Sequence, residues 1–143
     1  MRSGTIRRGY ADTSRGQMHY AECVPQAAGS RVPVVLLHQT PRSWDEYREV
    51  LPLLGRTHRA IAVDTIGFGA SEPIGDHRIE TYASVLVEFL DVLGLSRVAL
   101  VGHHTGGLVA IETAARAPGR VEALVLSSTP HYDAAARARP AAS

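Results

Sequence analysis

The chain has 143 residues, 45% of them hydrophobic and 20% charged, with a formal net charge of +1. That length bounds a single domain and is enough to bury a core. A near-neutral balance with scattered arginines excludes the basic footprint of a nucleic-acid binder, and one cysteine, Cys23, excludes an internal disulfide. Cys23 reads as a small core residue in a reducing compartment. No apolar run is long enough to span a bilayer, and no apolar segment follows Met1, so the expectation is a cytoplasmic protein with no signal peptide and no membrane partner.

Residues 5–11 and 17–24 read as two strands around Thr13-Ser14-Arg15-Gly16, a hairpin by its turn residues and by the alternation at Met18 and Tyr20. Residues 25–33 form a polar connection containing Gly and Pro. Val34–Leu37 is a continuous apolar run, the pattern of a parallel strand buried on both faces. Ser43-Trp44-Asp45-Glu46 then matches a capping box, in which the Ser43 side chain accepts from the Glu46 amide and Glu46 reaches back. Trp44, Tyr47, Leu51 and Leu54 fall on one helical face, and Pro52 must kink or reset that helix.

Ala60–Val63 is the next buried strand. Residues 79–93 form the clearest helix, with Tyr82, Val85, Leu86, Phe89, Leu90 and Leu93 at core-face spacing and Gly94 as its C-cap. Two more apolar strands follow, Val98–Val101 and Val121–Leu126, with a helix between them. Strand and helix alternate, so the fold class is α/β: a mostly parallel, doubly wound sheet with an N-terminal hairpin. Residues 131–143 are rich in Ala and Arg and have no apolar face, so they are expected to be a disordered tail.

The densest chemistry lies at Gly102-His103-His104-Thr105-Gly106. It follows an apolar strand and opens a helix of small residues, with a Gly two before and two after the central residue. This is the layout of a nucleophile elbow, where the central residue is strained and the helix starts close to the strand. The central residue is His104 rather than Ser, Asp or Cys. In an open parallel sheet, ligands bind at the carboxyl ends of the strands. Those ends are His38-Gln39-Thr40, Asp64-Thr65 and His103-His104-Thr105.

With the elbow, three stretches carry a family resemblance: Val34-Val35-Leu36-Leu37-His38-Gln39-Thr40-Pro41-Arg42-Ser43-Trp44, Ala60 through Glu72 with its Asp64-Thr65-Ile66-Gly67-Phe68-Gly69 core, and Arg120 through Leu126. In this order and spacing the chain resembles the α/β-hydrolase superfamily, and within it the epoxide-hydrolase and haloalkane-dehalogenase-like branch. The resemblance runs from about Thr5 to Pro130 and covers the first half of a usual member. Residues 1–130 are accordingly expected to be the N-terminal part of an α/β-hydrolase domain, an incomplete α/β-hydrolase fold, with the strands bearing the family's catalytic His and the cap domain beyond residue 143.

The resemblance implies an oxyanion hole made by the backbone N–H groups of Thr40 and Thr105; His38, Gln39 and His103, at the carboxyl ends of the strands, are expected to face substrate. His103 precedes the central residue and is also read as making a structural hydrogen bond. Asp64 is implied to brace neighbouring loops. Asp133, near where the family sometimes places an acid, is read as a solvated charge. Two positions depart from the family. Gln39 replaces a Gly, a residue used where the backbone needs φ > 0, and His104 replaces the nucleophile.

A neutral imidazole at His104 can attack a carbonyl or act as general base toward water, and the helix N-terminus disfavours its protonated form. The competing reading is a lost nucleophile with His tolerated at a strained position. No cofactor and no metal are expected, since His38 and His104 make half a metal site and no third ligand has recognisable spacing. Three functions stay open: a hydrolase of a small apolar ester, epoxide or related substrate; a non-catalytic ligand- or partner-binding relative; and a truncated, inactive half-domain. A triad needs three groups held together and this chain shows at most one, so little or no hydrolysis is expected from it alone. The apolar strand 121–126, with nothing left to pair its outer edge, implies self-association or a partner chain.

Overall fold

A computed structural model describes residues 4–27, 29 and 31–131. Strands β1 (Arg7–Thr13) and β2 (Gly16–Cys23) form the N-terminal hairpin, closed by Thr13 opposite Gly16. β2 then pairs antiparallel with β4 (Ala60–Val63). From there the sheet is parallel: β4 on β3 (Val34–Leu37), β3 on β5 (Val98–His103), and β5 on β6 (Val121–Ser127). The order β1-β2-β4-β3-β5-β6 reverses direction at β3, so β3 and β5 are neighbours whose connections leave toward opposite edges. That switch point opens a crevice at their carboxyl ends.

Alternation along the strands sends side chains to two cores. Val35, Leu37, Ile61, Val63, Val98 and Leu100 face the helices α2 (Ile79–Val92) and α3 (Thr105–Arg116), where Phe89 and Leu90 are fully buried. Val34, Leu36, Ala60 and Ala62 face Trp44, Tyr47 and Leu51 on the other side. α2 matches the helix expected over 79–93. Gly94 follows its end with φ +70, a left-handed conformation that glycine adopts without a Cβ penalty.

Two local expectations are corrected. Residues 43–54 are not one helix: a 3₁₀ turn over Trp44–Tyr47 is followed by the short α1 (Leu51–Leu54), with Pro52 in its first turn, where its missing N–H costs nothing. The capping box is not formed either. The Ser43 hydroxyl accepts from Asp45 N–H at 3.4 Å, and the Glu46 carboxylate accepts from Gln39 N–H at 3.3 Å instead of reaching back. The strand-end loop draws Glu46 away from the cap by offering it the Gln39 backbone donor.

Cys23 is buried, its thiol facing the Thr5 carbonyl, and burial raises its pKa, which keeps it unreactive. No helix among the described residues is long and apolar enough to cross a membrane. β6 is the edge of the described sheet, and Leu124, Val125 and Leu126 on it are exposed. The expectations for the tail and Asp133 fall outside the described residues, His131 excepted.

Candidate active site

β5 ends at His103 and α3 begins at Thr105, so His104 alone makes the turn between them. Its backbone sits at φ +53, ψ −117, a conformation that residues with a Cβ rarely adopt. Backbone packing compels it. A Cβ on Gly102 would press on the Gly106 carbonyl and lie 2.6 Å from Gly107 Cα, and one on Gly106 would strike the Leu37 carbonyl and lie 2.8 Å from the His38 oxygen. Neither of these two glycines has a positive φ; they are needed for close approach, and the strain falls on His104. The His104 N–H donates to the Ser127 carbonyl at 2.9 Å and its carbonyl accepts from Gly107 N–H at 2.9 Å, which holds the apex on both sides. The His104 ring is exposed, with Nδ1 3.4 Å from the Thr105 hydroxyl.

Thr105 opens α3, and the first N–H groups of a helix have no intrahelical acceptor and sit at the positive end of the dipole. Thr40 is brought to the same place: its N–H donates to the Thr105 hydroxyl at a long 3.5 Å. Apex imidazole, Thr40 N–H and Thr105 are thus assembled from two strand ends. Gln39 sits at an ordinary φ, since the described non-glycine residues with positive φ are His104 and Ser128. The loop therefore does not need the glycine conformation that its replacement seemed to forfeit.

His38 is buried, and both ring nitrogens are used by the backbone. Nδ1 lies 2.8 Å from the Gln39 carbonyl and Nε2 accepts from Thr65 N–H at 3.0 Å. This fixes a neutral ring with its proton on Nδ1, and burial lowers its pKa further. His38 ties the ends of β3 and β4 together, and neither nitrogen remains for a substrate or a metal. Beside it, the buried Asp64 carboxylate accepts from Trp44 N–H at 2.7 Å and Ala70 N–H at 2.8 Å, and meets His19 Nδ1 at 3.0 Å. Arg8 Nε–H donates to His19 Nε2, which leaves Nδ1–H to face Asp64. Asp64 joins two loops and the hairpin, the bracing role its motif implied.

His103 points from the other side of the strand end, and its Nδ1 lies 3.1 Å from the Ser127 hydroxyl. His103, Ser127, Gln39, Arg42 and Glu46 line a groove of about 490 Å³ whose floor is Leu36 and Val101. The groove lies on the α1 side of the sheet and is mainly apolar. Burial and the neighbouring Glu46 carboxylate hold the Tyr47 phenol protonated well above its usual range, and its O–H donates to the Leu37 carbonyl at 2.8 Å. Sequence reasoning missed Ser127 and His19. Ser127 was within reach of the strand-end rule, because it directly follows the apolar run 121–126. His19 had no local signal, since Asp64 is 45 residues away.

A parallel sheet with a strand–elbow–helix turn at its switch point defines an α/β-hydrolase core. A model of the α/β hydrolase fold family matches residues 32–142, and the chain belongs to that superfamily, in its epoxide-hydrolase and haloalkane-dehalogenase-like branch. It is 36% identical over 120 residues to haloalkane dehalogenase 2 of Mycobacterium tuberculosis, covering 82% of this chain and 40% of that protein. It is 41% identical over 95 residues to a soluble epoxide hydrolase of Corynebacterium sp., covering 66% of this chain and 32% of that one. The structure is similar to that of an epoxide hydrolase from Vigna radiata, with TM-score 0.78 and 30% identity over 89% of this chain and 39% of that one. The chain therefore spans well under half the length of these relatives.

Two measurements test the site's physics. His104→Gly relieves the strained backbone and is expected to raise stability by about 1 kcal/mol, read from urea denaturation, while His104→Ala keeps the strain and gains nothing. For His38 the unfolded chain binds a proton that the folded chain disfavours. Its contribution to stability is present above the unfolded value of about 6.5 and is lost as pH falls below it. Thermal melts should therefore fall between about pH 7.5 and about pH 5. His38→Gln, lower overall, should show a flatter fall over that window; equal slopes would place the titration on another group.

Proposed function

We propose that this chain carries the elbow part of a hydrolase for a small apolar ester, epoxide or related compound, with His104 acting as general base on water. The observation that supports it is an exposed imidazole at the apex of a strained strand-to-helix turn, beside two backbone N–H groups from separate loops. The relatives, named as a haloalkane dehalogenase and epoxide hydrolases, support small molecules as the substrate class.

For an ester, His104 removes a proton from water as its oxygen bonds to the carbonyl carbon. The resulting oxyanion accepts from Thr40 and Thr105 N–H, and the imidazolium returns the proton to the departing alkoxide. Thr40 N–H must first release the Thr105 hydroxyl, a small cost for a contact this long. A positioned base contributes about 10²–10⁴-fold and each oxyanion donor about 2.7–4 kcal/mol, but among the described residues the imidazole meets the Thr105 hydroxyl only at a long 3.4 Å and no carboxylate. Turnover is accordingly expected to be slow. With an activated aryl ester, the small rate above buffer should fall in His104→Ala; a rate unchanged there removes the hydrolytic role of His104.

The cytoplasm is the location we assign, on the single buried cysteine. We further propose that β6 pairs with β6 of a second copy. Its outer edge offers a row of backbone donors and acceptors flanked by exposed Leu124, Val125 and Leu126, and an antiparallel pair about a two-fold axis satisfies both edges at once. Sedimentation at micromolar concentration should show a species heavier than the 15.3 kDa chain, and Val125→Lys should shift it toward that mass. A wild-type monomer overturns this pairing.

A further inference from the structure

The parallel register of β5 and β6 sets His103 opposite Ser127 at the carboxyl ends of both strands. It brings His103 Nδ1 to 3.1 Å from Ser127 Oγ. With the ring proton on Nε2, the hydroxyl donates to Nδ1, the contact by which an imidazole activates a serine. The backbone around the pair is held. Ser127 O accepts from His104 N–H at 2.9 Å, and the next residue, Ser128, turns the chain at φ +46. Both described non-glycine residues with positive φ, His104 and Ser128, therefore directly follow this pair, and strain of this kind gathers at functional sites. Each residue also lines the apolar groove of about 490 Å³, along with Val50 and Leu54.

We infer that Ser127 is a nucleophile and His103 its general base, forming a second acyl-transfer site for neutral esters with an apolar acyl chain. Ser127 Oγ bonds to the ester carbonyl carbon while its proton passes to His103 Nδ1. Gln39 and Arg42, on the same wall, supply the donors available to the oxyanion. The carbon–alkoxy bond then breaks, the alkoxide takes the proton from Nδ1, and the acyl group stays on Ser127. Water releases it as the acid, with His103 again taking and returning the proton. The apolar floor takes the acyl chain. Glu46 Oε1, buried without a hydrogen-bond partner among the described residues, faces a free carboxylate unfavourably and so selects the neutral ester. This site does not depend on His104, whose ring centroid is 6.5 Å from that of His103.

The test treats the full chain with an alkyl fluorophosphonate, in which Ser127 Oγ displaces fluoride from phosphorus, and maps the adduct by mass spectrometry. The expected result is one adduct on Ser127, absent in Ser127→Ala and formed at least about tenfold more slowly in His103→Ala. His104→Ala should still be labelled at Ser127 at the wild-type rate, which separates this site from the His104 base. Thermal melts confirm that each variant is folded, and the wild-type adduct map stands without any variant. No adduct on Ser127, adducts scattered over other serines, or labelling as fast in His103→Ala as in the wild type overturns the inference.

Discussion

The site depends on how closely α3 approaches the strands that precede it. Gly102 and Gly106 let backbone touch backbone, with the Gly106 Cα against the carbonyls of Leu37 and His38. No side chain fits there, so the helix starts in the residue after the turn and the whole reversal falls on His104. One steric constraint thereby lifts the apex ring into solvent, places the first N–H groups of α3 beside it, and leaves His103 on the opposite side of the strand end. Two adjacent histidines meet different surroundings because the pleat and the turn separate them.

A buried polar framework holds the loops that face this apex. Asp64 collects backbone donors from the segment after β3 and from the turn after β4, and it meets His19 from the hairpin. His38 spans the ends of β3 and β4 with both nitrogens. Buried groups of this kind contribute modestly when paired and cost heavily when one partner is removed. They act as alignment, fixing the path of Gln39 and Thr40 relative to α3. A His at a strand end that looked like a ligand is thus a cross-brace, while the strained turn at His104 lies one strand over.

How much was legible follows from the range of each signal. The two parallel strands around the elbow, the α2 core face and the elbow itself could be read because their patterns are local: period, apolar runs and glycine spacing. The segment 43–54 misled because its capping pattern is equally local, yet Glu46 is claimed by Gln39 N–H from the neighbouring loop. The Gln39 substitution looked disruptive only because a backbone dihedral cannot be read from residue type. His38 and Gln39 were expected near substrate because they end a parallel strand, and only the fold brings the Gln39 carbonyl and Thr65 N–H onto both nitrogens of His38.

By itself the sequence determined the α/β class, the strand-turn-helix frame and the identity of the residue at its apex, since each is encoded within a dozen neighbouring positions. Tertiary structure alone decided which strand ends meet, because the order β4-β3-β5-β6 depends on crossovers and not on adjacency in the chain. That order puts His103 against Ser127, 24 residues on, and His19 against Asp64, 45 residues on. Hydrogen bonds across such separations leave no trace in periodicity or spacing. They exist only once the sheet has set the register.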